Sequence, residues 1–434
     1  MKIHFEFLKM FFADLDIYPK GQSQSKDFTK NGSLKGKKLF ATAVLLKMNL
    51  LKRVAIIAFC FIFSVEFKSW AQQDSLKVVH LHEIGIRSFN ELPTIGVLVG
   101  SANLIPVGGR KTEVIQVKNM PANLSEKTGR QIFAQIPGAY NYDMDGSGNQ
   151  INLSVRGLDA HRSWEFNVRQ NNIIINTDLY GYPASHYSMP IEAVDRIELI
   201  RGTGALQYGQ QFGGMLNYVL KSADTTKVFE VEHISSLGSF GLFSTFNSLG
   251  GRSGKWTYYA YFQKRNSSGY RDHSKSESDA QHFSLLYLAR QNLNVKVEVS
   301  RSTYLHQVPG PLSDLMFKQN PRQATRFRNF YSPEIWIPAV SLTWNPLRNT
   351  QMIWASSMIL GKRGDVAFPG NSLTLDSIGS QTKTFAPRNV GIHHYNSKTS
   401  ELRVLHHYRL GEIKNELSVA VRHFHNVNDR NERG

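Results

Sequence analysis

The chain has 434 residues, of which 41% are hydrophobic, 11% aromatic and 20% charged, with a mean hydropathy of −0.32. That average excludes a bundle of membrane-spanning helices but not a membrane β-barrel, whose strands alternate apolar and polar side chains. A net charge of +17 admits a nucleic-acid binder, yet many of the Lys and Arg residues sit near the N-terminus and in polar loops. The length allows two or three domains.

The first organised feature is Lys52-Arg53, then the apolar run 54–65, then Ser69-Trp70-Ala71. About a dozen apolar residues cannot cross a bilayer as a helix. A basic start, a short apolar run and a small-x-small site are the parts of a secretory signal peptide. The sequence therefore predicts a signal over 48–71, cleavage after Ala71 and a mature N-terminus at Gln72. Residues 1–47 are Lys-rich, with an unpatterned stretch at 18–38, and read as an upstream extension ahead of Met48. A genuine long basic leader is the alternative. The single cysteine, Cys60, lies inside the apolar run, and the bulky Phe59 before it argues against a lipid-modification site. The mature chain would then carry no disulfide or thiol chemistry.

Residues 72–105 are poorly periodic and hold one extended run, Leu81-His82-Glu83-Ile84-Gly85-Ile86-Arg87-Ser88. Residues 106–222 read as an α/β unit. Strands are expected over 113–117, 151–156, 173–175, 197–200 and 215–220, with a helix over 123–133 that stops at Pro137-Gly138. Asn171-Asn172 is a turn that tolerates left-handed backbone. From 223 to 434 the pattern becomes repeated strands of about ten residues between polar loops. Candidates lie at 228–237, 240–249, 255–264, 280–290, 292–302, 335–345, 350–360, 397–408 and 413–424. The clearest puts Leu293, Val295, Val297 and Val299 on one face and Asn294, Lys296, Glu298 and Ser300 on the other. A barrel wall between lipid and a wet lumen needs that alternation, and so does a soluble sandwich, so periodicity leaves both open.

Three motifs settle on one family. They are Pro137-Gly138-Ala139-Tyr140 with Asp145-Gly146-Ser147-Gly148 and Val155-Arg156-Gly157-Leu158; Ala193-Val194-Asp195-Arg196-Ile197-Glu198-Leu199-Ile200-Arg201-Gly202; and Leu206-Gln207-Tyr208-Gly209 with Phe212-Gly213-Gly214-Met215-Leu216-Asn217-Tyr218. In order and spacing they resemble the plug of a TonB-dependent outer-membrane receptor. The resemblance covers about 105–222 and implies a transmembrane antiparallel β-barrel, incomplete in this chain, around a small α/β plug. Ser268-Gly269-Tyr270-Arg271-Asp272-His273-Ser274, Gln307-Val308-Pro309-Gly310-Pro311-Leu312-Ser313 and Asn320-Pro321-Arg322-Gln323-Ala324-Thr325-Arg326 resemble the ferric dicitrate type of these receptors more closely. The plug departs from the common pattern at Val168-Arg169-Gln170-Asn171-Asn172, where many receptors carry Asp-Gly after the valine.

The resemblance implies energy-coupled uptake of a ferric chelate across the outer membrane of a Gram-negative bacterium. It also implies TonB as partner, contact with outer-membrane lipid and lipopolysaccharide, and no cofactor. Cobalamin, haem, nickel or an oligosaccharide would suit the same architecture. A secreted β-rich enzyme or carbohydrate-binding protein is the reading from another class. The run at 81–88 resembles a TonB box, with Leu81, His82, Glu83, Ile84, Gly85 and Ile86 as its core, a strand that can add to a sheet edge of its partner. Arg156 and Arg201 are expected to pair with lumen carboxylates of the barrel, Glu298 among them, and so lock the plug. Arg162, Arg169 and Gln170 of the plug and Arg322, Arg326 and Arg328 of a barrel loop are the expected substrate contacts, through charge-assisted bonds to chelate carboxylates.

No catalytic or metal constellation emerges. The run 202–207 fails the GxGxxG pattern at its last glycine, and 251–256 is too short for a phosphate-binding loop. His393-His394 and His406-His407 are adjacent, so on a strand each pair points to opposite faces. The basic-aromatic loop with Phe327, Phe330 and Tyr331 could bind single-stranded nucleic acid, but a secreted chain does not meet it. The strand count also falls short of the 22 expected of such a barrel from the family. An open sheet leaves unpaired backbone groups in hydrocarbon, so the chain is expected to be a fragment of a longer reading frame or a frameshifted copy.

Overall fold

The computed structural model describes residues 95–96, 101–102, 105–106 and 112–433, apart from 144–145, 177–185, 202–207, 209–211, 371–373 and 375. All of them belong to the compact unit Ile86–Gly434. The expected signal at 48–71, its cleavage site, the extension 1–47 and the run 81–88 lie outside the described residues.

The first layer is built on a mixed sheet in the order β1-β4-β9-β10-β7-β8. Its members are β1 (Ile95–Gly96), β4 (Thr112–Gln116), β7 (Phe166–Gln170), β8 (Ile173–Ile174), β9 (Val194–Ile200) and β10 (Gly214–Leu220). Only β7 and β10 run parallel; the other pairs are antiparallel. Two short pairs stand apart, β2 (Ser101–Ala102) with β3 (Ile105–Pro106), and β5 (Ala139–Asp143) with β6 (Ile151–Val155). Asn171 and Asn172, at φ 50° and 66°, make the two-residue hairpin turn between β7 and β8. A turn with both central residues left-handed matches the twist of the flanking strands. Gly214, at φ 114°, begins β10 where a Cβ would meet the Ile200 carbonyl, so only glycine closes that strand on β9.

The expected helix over 123–133 shrinks to α1 (Gly129–Phe133). Lys127 sits at φ 54° and its side chain is buried, so residues 124–127 form a turn. All five residues of β7 are buried, because one face packs into the layer's core and the other meets the second sheet. A doubly buried strand loses the period-2 signal, and its polar members Asn167, Arg169 and Gln170 hid it from sequence reading.

The second layer is a nine-stranded antiparallel sheet in which each strand pairs with the next in sequence. Its strands are β11 (Glu230–Gly238), β12 (Leu242–Ser253), β13 (Trp256–Ser267), β14 (Ser276–Arg290), β15 (Leu293–Gln307), β16 (Phe330–Leu347), β17 (Thr350–Ala367), β18 (Asn389–Leu410) and β19 (Ile413–Arg433). All nine expected strands are found, most of them longer than expected. On β18 and β19 the extra length lies at ends such as His393-His394 and Asn428-Asp429, where polar residues break the apolar alternation. One rim carries only two-residue turns, at 254–255, 291–292, 348–349 and 411–412. The other carries the loops 268–275, 308–329 and 368–388, the second holding α2 (Asp314–Gln319). Short turns at one end and long loops at the other are the signature of an outer-membrane barrel.

Register orders the outer face. Ser235, Thr245, Lys264, Asp279, Thr303, Glu334, Lys362, His394 and Asp429 are paired from strand to strand as one polar row. Eight residues towards the turns, Trp256, Tyr287, Val295, Leu342, Trp354, Leu402 and Val421 form an apolar row. Eight residues rise about 27 Å along a strand, which strand tilt in a membrane barrel reduces towards the apolar band of about 25 Å. Phe262, Phe283, Val297, Trp354 and Val421 are exposed on this face, as a lipid-facing surface requires. From β12 to β18 much of the opposite face is buried against the first layer.

Candidate functional site

Where plug meets wall, the strongest contact is a buried arginine-glutamate-arginine group. Arg169 of β7 donates from Nη1 and Nη2 to the two carboxylate oxygens of Glu401 on β18, each at 2.7 Å. Arg403 donates to the same carboxylate at 2.6 Å. Arg169 also donates to Asn167 Oδ1 and to the Asn172 carbonyl, and both guanidiniums lie over the Tyr208 ring, at 4.8 and 5.4 Å. Burial pushes the Tyr208 hydroxyl up to about 12, against the pull of Arg403 and Arg169, so the ring stays neutral.

A second charged contact holds the other flank. Arg265 of β13 donates to the carbonyls of Ser125 and Ser147 and to Asn149 Oδ1. Lys127, beside it, donates to Ser188 Oγ at 2.8 Å. Burial, reinforced by Arg265 and opposed in part by Glu192, holds this lysine well below the usual range.

The residues expected to lock the plug are placed differently. Arg201 forms an ion pair with Glu113 at 2.7 Å and donates to the Pro137 carbonyl. Arg156 donates to the Phe212 carbonyl at 2.5 Å. Among the described residues both arginines therefore tie the plug to itself. The cause is local: β4 pairs with β9 so that Glu113 faces Leu199, close to Arg201, and Arg156, at φ 59°, turns its side chain to Phe212. Glu298 does face the plug, but it pairs with Lys296 at 2.5 Å and accepts from Asn171 Nδ2. The arginine that spans plug and wall is Arg169, expected as a substrate contact. Nothing in its sequence neighbourhood marked Glu401 as its partner, because 232 residues separate them.

Of the other expected contacts, Gln170 donates to Ser300 and accepts from Tyr187, both at the plug–wall seam. The side chain of Arg162 lies outside the described residues. On the loop rim Arg326 is buried; it donates to the carbonyls of Thr374 and Gly370 and covers the Phe368 ring at 4.6 Å. Arg388 lies over Phe368 and Phe385, and Arg328 over Phe385. Three guanidiniums and two phenyl rings thus alternate through the space between two loops. Arg271 donates to Gly310 and Gln323, and Arg322 to Tyr270, which joins the third loop.

Below these loops lies a group that sequence reading missed. His186 of the plug is buried and shares a 2.7 Å hydrogen bond with the Tyr331 hydroxyl. The Tyr395 ring lies tilted 6.3 Å from His186 and the Tyr304 ring tilted 6.1 Å from Tyr331, Arg363 lies over Tyr331 at 5.6 Å, and His393 contacts Arg363. His393 is buried and His394 exposed, so the adjacent pair does point to opposite faces. Phenol, imidazole and guanidinium groups on one lumen face can hold an oxygen-rich anion. Their parity along four strands and one plug segment carries no sequence signal. Among the described residues no group of three or more His, Cys, Asp or Glu is placed to hold a metal ion, and no helix is long and apolar enough to cross a membrane.

Comparison with known proteins gives the frame. Residues 109–215 match the family model of the TonB-dependent receptor plug domain. Among solved structures the chain is similar to the ferric citrate transporter FecA in its unliganded form, at 18% identity and TM-score 0.62, covering 74% of this chain and 49% of that one. It is also similar to BauA, the ferric preacinetobactin receptor of Acinetobacter baumannii, at 15% identity and TM-score 0.57, covering 75% and 48%. The copper transporter OprC shares the fold at 12% identity and TM-score 0.53, covering 77% and 47%. The chain thus spans about half the length of the solved structures it matches. Residues 109–215 are a TonB-dependent receptor plug domain, seated against nine strands of a wall that is similar in fold to these solved structures.

Proposed function

We propose that this chain serves as the plug-bearing part of an outer-membrane receptor that imports a ferric chelate into the periplasm, driven through TonB. The observation that carries the reading is the lumen group of His186, Tyr331, Tyr395, Arg363 and His393 beneath loops joined by arginines. A carboxylate- or phenolate-rich chelate suits such donors. Arg322 and Arg328 are rim contacts for it, whereas Arg169, Gln170 and Arg326 act as positioning groups, since each is buried in other bonds. In this reading residues 48–71 direct export, 81–88 engage TonB, 106–222 are the plug and 223–434 the first part of the barrel.

Relatives of this fold carry names that cite ferric citrate, ferric preacinetobactin and copper, so cobalamin, haem, nickel or an oligosaccharide remains the second reading. A deletion strain grown on single iron sources tests the first. Growth on one ferric chelate is expected to require the gene, and Arg363→Gln with Tyr331→Phe is expected to weaken binding of that chelate by about tenfold or more. Unchanged growth on every iron source tried, with loss of growth on cobalamin, haem, nickel or a glycan, would replace iron by that solute.

A further inference from the structure

The plug is held to this part of the wall by two charged clamps, with an uncharged seam between them. One clamp is Arg265 of β13 on Ser125, Ser147 and Asn149. The other is Glu401 of β18 between Arg169 and Arg403. On β14 and β15, between the clamps, serines take over. Gln170 donates to Ser300 at 2.9 Å. The Ser188 N–H donates to Ser302 Oγ at 3.1 Å, and that hydroxyl donates back to the Ser188 carbonyl at 3.1 Å. Towards the turn rim Glu298 and Lys296 of β15 pair with each other, and the contact of Glu298 with the plug is the neutral Asn171 amide.

The two kinds of contact respond differently to water. A hydroxyl bond can be exchanged for a bond to water at little net cost. A buried charge stripped of its partners, a carboxylate at the Glu401 clamp and neutral oxygens at the Arg265 clamp, costs more. The seam is also hollow on its plug side. A cavity of about 30 Å³ lies there, lined by Lys127, Gly148, Ser163, Tyr187, Ser188 and Met189, which is room for a water or two. Ser188 therefore has polar groups on both sides, Lys127 towards the cavity and Ser302 towards the wall.

We propose that solute passes between the plug and the β14–β15 face of the wall, where residues 187–189 part from Ser300 and Ser302 while both charged clamps stay closed. The proposal rests on the uptake reading above. Two double-cysteine variants of the full receptor, in cells, test it. Ser188→Cys with Ser302→Cys spans the seam. Ser125→Cys with Ser236→Cys joins hydroxyls 2.7 Å apart next to the Arg265 clamp. Each pair is bridged by a short bis-methanethiosulfonate linker and later released with reductant, and import of radiolabelled ferric citrate is followed. The seam link is expected to cut import by about tenfold or more, reversibly, and the clamp link by less than about twofold. A second measurement reads the seam whatever the chelate. A single Ser302→Cys should react with an impermeant maleimide faster in energised cells than in cells without a proton-motive force, and Thr399→Cys near the Glu401 clamp should not. Failure of the wild type to import ferric citrate, with Ser302→Cys labelling still energy-dependent, would count against that substrate and for the seam. Import unaffected by complete seam linking, equal loss from the clamp link, or energy-independent labelling at both positions would overturn the proposal.

Discussion

Arg169 of the plug and Glu401 of the wall face each other in a two-bond fork, both bonds at 2.7 Å, with the arginine side chain fully buried. Arg403 shares the carboxylate from the wall side, so the group carries one excess positive charge when all three are ionised. Glu401→Gln would leave two buried guanidiniums without their counter-charge. The cost expected is about 3–5 kcal/mol of plug docking, read as a lower urea midpoint for plug release from the intact receptor. Arg169→Met with Glu401→Leu and Arg403→Met should cost less than Glu401→Gln alone, because no unpaired charge of the group remains. Equal losses in the two variants would remove the group from plug anchoring.

Lys127 gives the plug a pH dependence of known sign. Its folded pKa is held low, chiefly by burial, while the unfolded chain returns it to about 10.4. Below the folded value the lysine is charged in both states and the burial penalty is present in full. Between the folded and unfolded values the unfolded chain holds the extra proton, so plug stability rises with pH across that window. Denaturant midpoints should therefore climb as the pH rises towards the ordinary lysine value of about 10.4 in the parent, and Lys127→Met should flatten that climb. A slope that survives the substitution would assign it to another group.

Arg326 distinguishes a positioning role from substrate contact. Its loss would unbond the carbonyls of Thr374 and Gly370 and uncover Phe368. Each of these half-buried bonds contributes about 0.5–1.5 kcal/mol. Arg326→Ala should thus raise protease cleavage within 368–388 by about tenfold or more with no chelate present. Arg322→Ala should leave cleavage there nearly unchanged, since Arg322 bonds to Tyr270 in another loop. Weaker chelate binding from Arg326→Ala with unchanged cleavage would restore it as a direct contact.

If residues 81–88 engage TonB as proposed, deleting them should abolish import and leave surface expression and chelate affinity as they are, because a segment that adds to a partner's sheet edge supplies coupling and no part of the site. Normal import by the deletion strain would move the coupling strand elsewhere.

Much of the architecture was legible in the residues themselves. The alternation of Leu293, Val295, Val297 and Val299 with polar neighbours specifies a strand between an apolar and a wet surface, and nine such runs foretold nine strands. The plug motifs carried the family, because glycines such as Gly214 stand where no side chain fits. The strand ends were less legible: beyond the apolar band polar residues such as His393, His394, Asn428 and Asp429 break the alternation of β18 and β19, and pairing extends them. The site was decided by tertiary structure. Arg156 and Arg201 stand in the recognisable motifs, yet the register of β4 on β9 gives Arg201 to Glu113, and the turn at Arg156 gives that residue to Phe212. Arg169 sits in an unremarkable strand and meets Glu401 only because the wall passes in front of it 232 residues later. Local sequence determines which face of a strand is apolar, through side-chain alternation. Which charge meets which is determined by where two separate chain segments are brought together, and no local pattern records that.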